Sequence, residues 1–268
     1  MTDALSRALA ARLRVVGIDP DAPFGNGNSP WEIWLQLREH YGRRSTLIDL
    51  YQLEAARQAV ALEALPAADR MRMKAAAMAV IYPGFSQAPG THRAGESVDV
   101  VLYDPGWPHV FGRWRRRLTA ALGPVAVRIE HVGSTSVPRL AAKPVIDVQV
   151  SVSDLGDERS YLAPTESAGL VLRGRDDSHL FFLPPAGTPR EVHVHVCPAG
   201  GPWERDHLLF RDYLRASPGA VAGYAGLKQR LAERWHDDRT AYTEAKTGFI
   251  LDTLDDAERW AAVSGWRP

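Results

Sequence analysis

The chain has 268 residues, 45% hydrophobic and 24% charged, with 32 basic and 32 acidic side chains and a formal net charge of zero. That is the composition of a folded globular protein, long enough for one large domain or two ordinary ones, and it excludes the global basic field that drives non-specific nucleic-acid or membrane-surface binding. No apolar run reaches the roughly 20 residues that span a bilayer, the N-terminus carries no signal-peptide core, and Cys197 is the one cysteine, so the expectation is a cytoplasmic protein without an intrachain disulfide.

Residues 1–85 read as a small all-helical domain. Ser29-Pro30-Trp31-Glu32 carries an N-cap serine, a proline at the first helical position and a glutamate to close a capping box. Trp31 and Trp34 come next at helical spacing and are read as core. A second helix is expected over 47–65, ended by Pro66, and a third over 69–82, ended by Pro83-Gly84. Nothing in this domain looks catalytic and the sequence assigns it no role, with a face that binds a protein partner as the alternative to core for Trp31 and Trp34.

Residues 86–97 are rich in Pro, Gly and Ser and read as a linker. The period then changes, and 98–268 reads as an α+β domain. Strands are expected at 98–103, 125–132, 144–152, 170–174, 178–184 and 191–197, with a helix over 104–123. Three C-terminal helices back the sheet, over 203–217, 218–235 and 239–263. The basic run 113–118 is read as the wet side of its helix.

Strand side chains alternate between faces. In 145–151, Ile146, Val148 and Val150 share one face, and Asp147, Gln149 and Ser151 the other. In 191–197, Val192, Val194 and Val196 oppose Glu191, His193 and His195. If the two strands are neighbours, one sheet face collects a carboxylate, an amide and two imidazoles. Two histidines at i and i+2 on a strand can chelate a transition metal. The plain alternative is a solvated outer face of an antiparallel sheet. Upstream, Gly133-Ser134 ends a strand. Glycine admits close backbone approach, and serine offers a hydroxyl and an N–H to phosphate oxygens.

The stretch 129-IEHVGSTSVPRLAAKPVIDVQV-150 resembles the signature of the GrpB-like family. The likeness extends to 102-LYDPGWPHVF-111, HVHVC, FRDYLRASPGAVAGYAGLKQRLA and YTEAKTGFI, and covers about residues 98–260. It implies a nucleotidyltransferase-like mixed sheet with C-terminal helices. It also implies transfer of a nucleoside monophosphate from an NTP to an acceptor that the sequence does not name. Gly133 and Ser134 would hold the phosphates, with Lys143, Lys228, Tyr242 and Lys246 in support. Asp147, His193 and His195 would be the catalytic and metal-binding residues, with Mg, Mn or Zn as the ion. The chain departs from active nucleotidyltransferases at Gln149, which stands where a second acid is expected. One acid with Gln and His suits Mg²⁺ poorly. A softer ion, completion by Glu130 or Glu191, or loss of the chemistry remain open, so a catalytically degenerate binding module is the rival reading.

Overall fold

The structure is a computed structural model that describes residues 5–87 and 97–268. Among these, no helix is long and apolar enough to cross a membrane. The chain divides into two compact units, one comprising residues up to Pro83 together with Thr240–Gly248, the other Gly84–Arg239 with Phe249–Pro268. The segment 240–248, read from sequence as part of the C-terminal domain, thus belongs with the helical unit.

The first unit is built from α1 (Arg7–Val15), α2 (Pro30–Tyr41), α3 (Leu47–Arg57) and α4 (Ala67–Ile81). The Ser29/Glu32 capping box forms as expected, and Thr46 with Asp49 makes a second one at the start of α3. Asp49 also takes Arg12 of α1 in an ion pair of 2.5 Å. Leu9, Leu13, Ile33, Trp34, Leu37, Leu50 and Leu53 are fully or almost fully buried, and the Trp34 indole donates to the Thr46 carbonyl at 2.8 Å. The expected helix over 47–65 ends early, at Arg57. Ala59 adopts φ 54, a left-handed conformation that stops the helix, and a short turn over Leu62–Ala64 replaces its second half.

The second unit holds β1 (Ser86–Gln87), α5 (Trp107–Leu122), β2 (Ala126–Val132), β3 (Ile146–Val152), α6 (Glu158–Ser167), β4 (Val171–Arg175), β5 (Leu180–Leu183) and β6 (Val192–Pro198). α7 (Pro202–Ala216) and α8 (Pro218–Arg234) come after the last strand. The strands form one six-stranded mixed sheet in the order β1-β4-β5-β6-β3-β2, a nucleotidyltransferase-like α+β arrangement. β3 and β6 run parallel; the other pairs are antiparallel. β1 lies inside the stretch read as linker, pairing Ser86 with Arg175; residues 88–96 of that stretch fall outside the described residues.

Two further expectations are corrected. The strand expected at 98–103 reduces to a single bridge, Val101 to Ala142. Continuing that ladder would set Asp99 opposite Pro144, which has no N–H to donate. The long helix expected over 239–263 is broken into α9 (Arg239–Glu244) and α10 (Thr247–Ser264). The break falls in the segment grouped with the helical unit. The other helix ends agree with the sequence signals: α5 stops at Gly123, φ 53, and Pro202 and Pro218 open α7 and α8.

Sheet position decides which face each residue serves. Val148, Val150, Val192, Val194, Val196 and Phe182 pack with Trp107, Trp114 and Leu118 of α5 and Tyr161 of α6, all buried. The opposite face, with Asp147 and its neighbours, is partly covered by α7. Gln149 and Ser151 are 0% exposed, and Ser151 donates to Glu204 of α7 at 2.5 Å. The face that could have been solvated is therefore a buried polar layer.

Candidate functional site

β3 and β6 are adjacent and in register, Asp147 opposite His193 and Gln149 opposite His195. Parallel pairing places these four side chains on one face. The carboxylate and the two imidazoles each offer a ligand atom within 4.8 Å of the others. His193 Nδ1 lies 3.0 Å from Asp147 Oδ1, and His195 Nε2 lies 4.0 Å from the same oxygen. The three side chains are 13–27% exposed, half-buried at the end of the strands.

Gly133 stands directly against this carboxylate. Its φ is 67, and a Cβ placed there would overlap Asp147 Oδ2 far inside van der Waals contact. Only glycine fits, for conformational and for steric reasons. Ser134 begins the short helical turn Ser134–Ser136, whose Ser136 hydroxyl donates to the Gly133 carbonyl at 2.6 Å. α7 clamps this turn from outside. Arg215 donates from Nε and Nη2 to the Ser136 carbonyl at 3.1 and 2.9 Å, and Arg211 reaches Glu130 at 2.7 Å and the His131 carbonyl at 3.1 Å.

Burial opposes ionisation of Asp147, yet the His193 hydrogen bond and the positive charge of Lys143 help hold its carboxyl down to about 2. Asp147 is a carboxylate at neutral pH. Burial pushes both imidazoles down, His193 with help from Arg190 and Arg239, His195 well down with help from His179 and His207. Both are neutral, each with a lone pair. Their surroundings explain this. Phe181 stacks on His195 at 4.8 Å, Trp203 lies 5.1 Å from the same ring, and Trp203 stacks on His207 at 3.6 Å. This aromatic wall excludes water and disfavours a charged ring.

Gln149 Oε1 and His195 Nδ1 are buried without a hydrogen-bond partner. They sit on register-matched residues beside the carboxylate. Neither acid expected to complete the site joins it. Glu130 is engaged by Arg211, and Glu191, exposed before β6, accepts from the Trp114 indole at 3.1 Å. His131 points to the α5 side, stacked on Phe111 at 4.8 Å, and burial lowers it to about 4. Cys197 is buried, its thiol pushed up to about 12 by burial.

The cations named from sequence scatter. Lys143 is half-buried and acts on Asp147. Lys228 is 2% exposed on α8, its ammonium 4.5 Å from the Tyr224 ring centre. Tyr242 and Lys246 belong to the segment grouped with the helical unit, with the Lys246 ammonium 4.5 Å from the Tyr242 ring centre. Sequence reasoning missed Arg190, whose Nε donates to His193 Nε2 at 2.7 Å. An arginine three residues before a strand histidine was the available signal. It also missed Phe181, Trp203, His207, Arg211 and Arg215, which only the tertiary fold assembles.

Residues 97–256 match the family described as GrpB protein. The chain is 43% identical over 158 residues to a UPF0157 protein of Streptomyces coelicolor, covering 58% of this chain and 83% of that one. It is 32% identical over 197 residues to a protein of Mycolicibacterium paratuberculosis named dephospho-CoA kinase, covering 64% of this chain and 48% of that one. A solved structure of the conserved protein GrpB from Enterococcus faecalis superposes with a TM-score of 0.55 at 31% identity, covering 60% of this chain and 99% of that one.

Proposed function

The chain belongs to the GrpB family, and from that membership we propose that its sheet unit is a metal-dependent nucleotidyltransferase working at the Asp147–His193–His195 cluster. One observation carries the reading. A carboxylate held ionised and two imidazoles held neutral converge beside a glycine turn whose shape leaves room for nothing larger. An ionised carboxylate beside neutral imidazoles is a donor set that a cation can take.

The donor set tests which ion. Mg²⁺ prefers oxygen ligands, and this site offers one carboxylate with two imidazoles, so it fits Mg²⁺ poorly. It fits a first-row transition ion, for which two histidines and one carboxylate are a recurrent set. When bound, such an ion supplies positive charge to phosphate oxygens. The chain's own residues do the rest. Asp147 balances the charge. Backbone N–H groups of the turn at Gly133 and Ser134, with Lys143, face the phosphates. The acceptor hydroxyl oxygen bonds to the α-phosphorus as the bond from phosphorus to pyrophosphate breaks, and the hydroxyl proton passes to water. Ligand and general-base roles compete for the same imidazole lone pairs, and the convergence of the three donor atoms favours the ligand role.

The test is metal analysis of the purified protein with a thermal-shift screen of NTPs against Mg²⁺, Mn²⁺ and Zn²⁺, followed by transfer of α-labelled phosphate. We expect a bound transition ion, and a nucleotide shift that requires Mn²⁺ or Zn²⁺. A protein that holds no ion and ignores NTPs sinks the reading. One observation favours a second reading, a binding module without catalysis. Glutamine stands where the second acid would be, and Gln149 is 0% exposed, so that place is closed to solvent.

A further inference from the structure

Arg190 makes a bond to His193 that nucleotidyl transfer leaves unexplained, and its consequence rests on Asp147, His193 and His195 being metal ligands. A neutral imidazole has one N–H and one lone pair. In His193 both are committed. Nδ1 faces ionised Asp147 at 3.0 Å and therefore carries the proton, while Nε2 accepts from Arg190 Nε at 2.7 Å.

A cation can reach His193 in two ways, and neither tolerates the Arg190 bond. Through Nε2, the ion takes the lone pair that Arg190 uses. Through Nδ1, the ion takes the position of the proton, which moves to Nε2, and two N–H donors then face each other. Any coordination by His193 expels the guanidinium.

We infer that Arg190 is a built-in occupant of the metal site that is released on loading. Arg190 comes after an exposed turn, 186–189, with Gly187 at φ 83, and is itself half-buried, so its guanidinium leaves the site next to an exposed stretch of chain.

The experiment uses the full chain with Co²⁺ as a coloured probe ion. Co²⁺ affinity is read from visible absorbance, and the His193 tautomer by long-range proton–nitrogen correlation. Wild type should show the Nδ1–H tautomer without metal. Arg190→Gln should bind Co²⁺ about tenfold more tightly, the worth of a lost hydrogen bond to a charged donor. Equal Co²⁺ affinity in wild type and Arg190→Gln overturns this inference and leaves the metal reading standing. So does an Nε2–H tautomer in the metal-free protein. Failure of both proteins to bind Co²⁺ overturns the metal reading, and this inference with it.

Discussion

A carboxylate in a buried strand costs free energy unless something compensates it, and Asp147 shows how a single residue can be both liability and asset. Its pKa is lowered from 3.8 to about 2, so it stabilises the fold above the unfolded value and that stability is lost as pH falls from about 4 to about 2. A shift of this size corresponds to about 2 kcal/mol. Asp147→Asn should therefore lower the metal-free stability at pH 7 by about 2 kcal/mol, and the gap to wild type should close by about pH 2. Chemical denaturation at both pH values checks this; an undiminished wild-type advantage at the acid end would contradict it. Gly133 makes a sharper case. Gly133→Ala forces a side chain into φ 67 and onto Asp147 Oδ2. Strain and clash together should cost at least ~2 kcal/mol and displace the carboxylate, visible as a lower urea midpoint with reduced metal content. An alanine variant as stable as wild type would show that the turn can open without penalty.

At the scale of elements, α7 decides what the site becomes. Its Glu204 accepts from the Ser151 hydroxyl, to which Gln149 in turn donates, and it holds the Gly133–Ser136 turn through Arg215. Arg215→Ala removes both donors from the Ser136 carbonyl and should cost about 1 kcal/mol. The informative measurement is hydrogen exchange. The Ser136 and Val137 amides, which bond back to Gly133 and Ser134, should exchange faster, while those of β3 stay protected. Uniform acceleration would mean global loosening instead. The strands were legible because alternation is a local property: Val148, Val150, Val192, Val194 and Val196 announce their face, and Asp147, His193 and His195 announce the other. The register that sets Asp147 against His193 needed the tertiary fold, as did Arg190. α1 and α6 were not read as helices, the second because Pro164 inside it reads as a stop. The 98–103 stretch failed for the opposite reason. It has a strand's pattern, but Val101 and Leu102 stay exposed, and its one partner lies close to a proline.

The whole molecule is not the simple succession of two domains that composition suggests. Residues 240–248 supply buried groups to the helical unit, including Ala241, Tyr242 and Glu244. Glu244 accepts from the Tyr82 hydroxyl at 2.6 Å, and burial raises its pKa. Cutting the chain at the apparent linker therefore strips each piece of something. A fragment starting at Ser97 should retain β2 to β6 but lose the edge strand β1 and expose the 240–248 surface, giving a lower melting temperature and concentration-dependent aggregation. The helical piece 1–83 should melt with weak cooperativity. Calorimetry of both fragments beside the full chain checks this; two sharp transitions matching the full chain would show that 240–248 contributes nothing.

That shared segment also imposes an order in time. On a ribosome, residues 1–83 emerge long before their partner segment 240–248 exists. At about 5–20 residues per second, the helical unit waits roughly 10–30 s for its missing piece. During that interval the sheet unit lacks 249–268 as well, so the two units do not both hold all their residues until the stretch 240–268 has been made. Synthesis of that one stretch becomes the event that completes both, and a ribosome stalled just short of it would hold two unfinished folds at once.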